Sequence, residues 1–114
     1  MSRFKGRSKY GAKKVKIGDL KFDSQREAKR WCDLQLLEKA GEISELERQI
    51  PIYLEGRDRF IPTKTGRRMR YIADFRYKDK DGNVVWEDSK GYPTPEYIVK
   101  RGILWAMGIE IVEV

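Results

Sequence analysis

The sequence predicts a mixed α/β fold built as one domain, and three observations carry that expectation. At 114 residues the chain has room for one modest core and not for two. Two segments carry helical apolar spacing between capping and stopping residues. The remaining β-rich segments alternate or run into Gly- and Asp-containing turns, with no internal repeat.

The elements follow in chain order. Residues 1 to about 14, rich in Gly, Ser and Lys, read as flexible, and the basic arm to which they belong is taken as 1–20, leaving 21–114 as the domain proper. In "FDSQREAKRWCDLQLLEKAGEI", Asp23 or Ser24 can cap and Gly41 can stop a helix from about 24 to 40. Its apolar stripe centres on Trp31, with Ala28 and Leu34 beside it, and Glu27 falls inside that stripe. "SELERQIPIYL" predicts a strand, which Pro51 marks as an edge or as interrupted. "RYIADFRY", the turn "KDKDGN" and "VVWEDSK" predict an antiparallel hairpin, with Asp81 and Gly82 supplying the turn. Thr94 as cap, Pro95 at the first helical position and Gly108 as stop predict a second helix from about 95 to 107. "IEIVEV" closes the chain as a short strand, and Trp31, Trp86 and Trp105 are assigned to the core.

Charge narrows the function. The formal net charge is +7, and its distribution says more than its size. Residues 1–21 hold eight basic side chains against Asp19 alone, so the other 93 residues balance at 17 of each sign. A second run, "RDRFIPTKTGRRMR" at 57–70, holds six basic residues and one acid. Two such runs in a small domain favour a polyanion, with nucleic acid the commonest one, over a merely solvated surface. The candidate phosphate contacts are Lys13, Lys14, Lys64, Arg67, Arg68 and Arg70; Lys100 and Arg101 on the second helix either join them or form a solvated face. Tyr92 and Tyr97 stack on bases or pack, packing being favoured. Cys32 is the single cysteine, so no intramolecular disulfide forms, and a reducing, cytoplasmic setting is expected. No apolar run suits a signal peptide or a membrane span.

The acids define the chemistry. Strand alternation puts Asp88 and Lys90 on one face and Glu87 and Ser89 on the other, while Asp74 lies near the same end of the partner strand. Two ionised carboxylates held together repel unless a cation joins them or one stays protonated. Asp and Glu oxygens suit Mg²⁺ or Mn²⁺, and the chain has no histidine for an imidazole base or a histidine-ligated zinc. A lysine there can orient or deprotonate a water, or stabilise charge developing on a phosphate. The pattern points to metal-dependent hydrolysis of a phosphodiester. Each residue has a structural alternative. Glu27 completes the capping box "SQRE", reaching back to the Ser24 amide. Asp88 and Lys90 can form a plain ion pair, Gln49 can be a solvated edge residue, and Glu87 can be a surface or helix-packing charge that assists only if the strand is bulged.

"ADF" at 73–75 and "EDSKG" at 87–91 resemble the PD-(D/E)xK nuclease signature, with Asp74 as the first acid and Asp88-Ser89-Lys90 as the second element. Glu27 matches the additional helix acid of that superfamily, and Gln49 matches a polar position. The layout over residues 20–112 is most similar to small phage-encoded nucleases, grouped with junction resolvases of the phage endonuclease I type and with the endonuclease subunit of certain transposons. Ala73 departs from the pattern, standing where many members have proline. The resemblance implies a restriction-endonuclease-like mixed central sheet flanked by helices. It also implies Mg²⁺ (or Mn²⁺) on Glu27, Asp74 and Asp88, with Lys90 as the fourth catalytic residue and Gln49 and Glu87 as possible accessories. The expected activity is an endodeoxyribonuclease selective for branched DNA, working in the cytoplasm of a bacterial host and able to act as a homodimer. The rival expectation is a non-catalytic nucleic-acid-binding module or an accessory subunit.

Overall fold

The structure, a computed structural model, describes residues 13–89 and 92–114. Its first helix, α1 (Gln25–Lys39), starts where the sequence signals it: the Ser24 hydroxyl accepts the Glu27 amide at 3.1 Å. It ends in a Schellman closure, with Gly41 at φ +82° and the Glu42 amide returning to the Leu37 carbonyl at 2.9 Å. The second, α2 (Pro95–Ala106), repeats the design with Thr94 as cap, Gly108 at φ +87° and Ile109 bonded back to Leu104.

Before α1, β1 (Val15–Ile17) and β2 (Leu20–Phe22) pair as a small hairpin turning at Gly18, so the last part of the basic arm is ordered. The main sheet has the order β3 (Ser44–Tyr53), β4 (Arg70–Lys78), β5 (Val84–Asp88), β6 (Ile111–Glu113). The first three strands are antiparallel, and β6 joins β5 in parallel after the α2 crossover, giving a mixed sheet with β3 and β6 at its edges. Pro51 sits on an edge strand, as its lack of an amide proton requires. The β4–β5 turn is held by Asp79, whose carboxylate accepts the Asp81 and Asn83 amides at 2.9 Å each, with Gly82 at φ +84°.

Two helices cover this sheet through two apolar clusters. One gathers Leu34, Phe75 and Tyr77 with Trp31 against α1; the other gathers Ile52, Tyr71, Ala73 and Ile111 against Tyr97 and Leu104 of α2. Tyr71, Ala73, Phe75 and Tyr77 form one buried row of β4, yet its first half serves α2 and its second half α1. The hand-over falls at a break in the ladder. Pairing runs from Arg48↔Phe75 to Ile50↔Ala73 without a Gln49–Asp74 rung, and Gln49 has φ +56°, a left-handed conformation rare inside a strand. Trp105 corrects its core assignment: it is 66% exposed, because the stripe of α2 that carries Tyr97 and Leu104 faces the sheet and Trp105 lies off it. Among the described residues no helix is long and apolar enough to cross a membrane.

Candidate active site

The acidic residues meet where two paired strands part. The β4–β5 ladder ends at Phe75↔Glu87, so Asp74 and Asp88 form the next, unpaired rung. The Ser89 amide, which would have continued the ladder, donates instead to Asp74 Oδ2 at 2.8 Å. Glu27 enters from the first turn of α1. One of its oxygens accepts the Asp23 amide at 3.2 Å and the other accepts Gln49 Nε2 at 2.8 Å. The cap and the site share this residue. The reciprocal bond goes to Asp23 rather than to Ser24, and it leaves the second oxygen turned toward β3 and β4.

Gln49 is the connector: its amide nitrogen also lies 3.5 Å from Asp74 Oδ1. The left-handed φ that breaks the ladder thus coincides with the side chain that reaches both carboxylates. Asp88 is 1% exposed and accepts a hydrogen bond from the Tyr71 hydroxyl. Arg48 is the described cation nearest Glu27, its Nη2 3.9 Å from Oε2. It is held in place by the Lys21 carbonyl at 2.7 Å and by the Phe22 ring at 4.3 Å from its guanidinium carbon.

The electrostatics follow from this crowding. Burial, a proton shared with Asp88 and repulsion from Asp88 push the Asp74 carboxyl up to about 8, against the pull of the Ser89 amide. Glu27 is also raised, mainly by burial, with the Asp23 amide and Arg48 opposing. Burial and the Asp88 carboxylate raise the Tyr71 phenol, which therefore stays a donor. Ser89 Oγ is buried with no hydrogen-bond partner among the described residues, while its amide holds Asp74. A hard divalent cation suits oxygens held this close, since it would take the place of the proton that Asp74 and Asp88 share. Among the described residues no group of three or more His, Cys, Asp or Glu is drawn together as a ready-made metal cage.

The remaining candidates divide. Lys90 lies outside the described residues. Glu87 faces away from Asp88: it takes a two-pronged ion pair from Arg30 at 2.8 and 2.7 Å and a hydrogen bond from the Tyr77 hydroxyl, so it serves the contact between α1 and the sheet. Lys13, Lys14, Lys64, Arg67 and Arg70 are exposed and carry no ion pair among the described residues. Arg68 is paired with Glu55 at 2.9 Å, Lys100 with Glu96 at 2.9 Å, and Arg101 with Glu113 at 2.9 Å. Tyr97 packs in the core while Tyr92 is exposed. Sequence reading missed Arg48 and Tyr71. Both flank residues it named, Gln49 and the "ADF" segment, but only the register shows what they touch.

A mixed sheet whose parted strands hold buried acids, with basic segments around it, defines a small α/β domain with a carboxylate site. The chain belongs to the DUF1064 family, described as a protein family of unknown function, whose model matches residues 7–110. No curated protein and no solved structure matches it.

Proposed function

We propose that the protein is a metal-dependent endodeoxyribonuclease of the PD-(D/E)xK type, acting on branched DNA in the bacterial cytoplasm. The observation that carries this reading is the Asp74–Asp88 rung at the parted end of β4 and β5, linked to Glu27 through Gln49, with Asp74 pushed up to about 8. Buried acids in so costly a position call for a compensating cation. Glu27, Asp74 and Asp88 would hold Mg²⁺ or Mn²⁺, which when bound polarises the phosphate and lowers the pKa of water.

The chain's own residues do the rest. Gln49 and the Ser89 amide fix two of the carboxylates, Tyr71 fixes the third, and Arg48 adds positive potential beside Glu27. Lys90 is the residue proposed to orient or deprotonate the attacking water. Hydrolysis forms one bond from water oxygen to phosphorus and breaks one from phosphorus to a sugar oxygen, which leaves with a proton. Lys13, Lys14, Lys64, Arg67 and Arg70 grip the backbone; such contacts give affinity without base readout, which suits selection by DNA shape. Cutting both strands of a branch calls for two sites, hence a homodimer.

Supercoiled plasmid and a synthetic four-way junction, each with Mg²⁺ or EDTA, test this. Wild type should nick only with Mg²⁺, and Asp74→Ala should bind but not cut. Equal absence of cutting by both proteins, with binding intact, would leave the non-catalytic binding module as the reading.

A further inference from the structure

A groove of about 790 Å³ runs between the loop after β3 and the first turns of α2. We infer that it holds a single-stranded segment of nucleic acid and feeds that segment to the carboxylate site; its direction of feed rests on the nuclease reading, its ligand class does not.

The floor and walls are already set. Lys100 donates to the Arg70 carbonyl at 2.9 Å and holds Glu96, the one acid among the described residues lining the groove, at 2.9 Å, so α2 is clamped to the start of β4. The loop is braced by the Thr63 amide on the Arg67 carbonyl at 2.6 Å and by a Pro62–Arg68 bridge, which presents Arg67 at a fixed place. Tyr53 pairs directly with Arg70 across β3 and β4, and its ring is backed by the Arg68 guanidinium at 4.7 Å while remaining 41% exposed. That is a supported aromatic platform beside Arg67 and Arg70, two guanidinium groups with no ion pair among the described residues, the combination on which bases stack while the backbone is held by charge.

Shape selects the strand. A cleft of this size lies in the range that encloses a small ligand or a few nucleotides, whereas a duplex is a convex rod that cannot enter it. Position gives the direction. Arg70, Ile72 and Asp74 share one face of β4 about 6.8 Å apart, the first two lining the groove, and Tyr71, which lines it from the strand's other face, donates to Asp88. A strand lying on Tyr53 therefore leads along this row to the acids.

Fluorescence anisotropy in EDTA, with a labelled short oligo(dT) and a blunt duplex of equal length, tests the inference. Wild type should bind the single strand about tenfold more tightly, and Tyr53→Ala and Arg67→Glu should each lower that preference several-fold, about the worth of one stacked base or one phosphate contact. Tyr53→Phe should keep it, and thermal melting should show all variants folded. The inference is overturned if wild type binds both probes equally, or if the variants weaken both in the same proportion. Plasmid cutting in Mg²⁺ by the same samples reports on the nuclease separately. A protein that cuts without preferring single strands loses the groove alone; one that prefers single strands without cutting keeps the groove and loses the nuclease.

Discussion

Asp74 makes the stability of the metal-free protein depend on pH. Unfolded, it titrates near 3.8; folded, burial and Asp88 hold its proton to about 8. Between those values the native state binds more protons than the unfolded one, so its stabilising contribution is complete below about pH 4 and lost by about pH 8. Asp74→Asn removes that loss while keeping an acceptor for the Ser89 amide. In EDTA it should be more stable than wild type by about 1–3 kcal/mol at pH 8 and no more stable at pH 4, as read by urea unfolding. Gln49 gives a second expectation. Its φ of +56° costs an L residue about 1 kcal/mol, so Gln49→Gly should be more stable than Gln49→Ala by about that amount. If the protein is the nuclease proposed, both should lose cutting alike, because neither carries the amide that reaches Glu27 and Asp74. Glu27, Asp74 and Asp88 were legible from helical phase and strand alternation. Arg48 was not, because a cation beside Glu27 is a product of β3 register, and no local pattern encodes it.

Among the elements, β5 is tied through two successive acids. Asp88 reaches Tyr71, and Glu87 reaches Arg30 of α1. Arg30→Ala would leave Glu87 buried with Tyr77 as its one side-chain partner among the described residues and should cost about 3 kcal/mol by chemical denaturation. Trp105→Ser, at an exposed position, should change stability by less than about 0.5 kcal/mol. The helix ends were readable because caps and stops are local chemistry: Ser24, Gly41, Thr94 and Gly108 all do what their types suggest. Trp105 was misread because α2 carries more apolar surface, Ile98 and Val99 included, than one sheet face can cover. β1 and β2 escaped notice because "VKI" and "LKF" are too short for a period to show.

Across the whole molecule the charge imbalance sits in the first 21 residues, where the unpaired lysines Lys13 and Lys14 begin the described chain, and it is joined by Arg67 and Arg70 at the groove. On the proposed reading the logarithm of the DNA-binding constant should fall linearly with log salt, and Arg67→Ala should reduce that slope by about one. Lys100→Ala should leave the slope nearly unchanged and lower the melting temperature, because Lys100 clamps α2 to β4. The fold class and the succession of elements from α1 to β6 could be read from the chain because each segment's pattern is local, whereas the parallel place of β6 beside β5 could not. The parting of β4 and β5 could not, since it depends on where pairing stops.

The left-handed residues of β3 also guard against aggregation. A ten-residue strand at the edge of a sheet is a template on which another chain could build. Glu45 and Gln49, both at φ +56°, turn the backbone out of line at two places, and Pro51 removes a donor at a third. No long straight row of open amides is left to template growth. Straightening it, with Gln49→Val and Pro51→Val together, should yield a protein that scatters light on concentration where wild type stays clear.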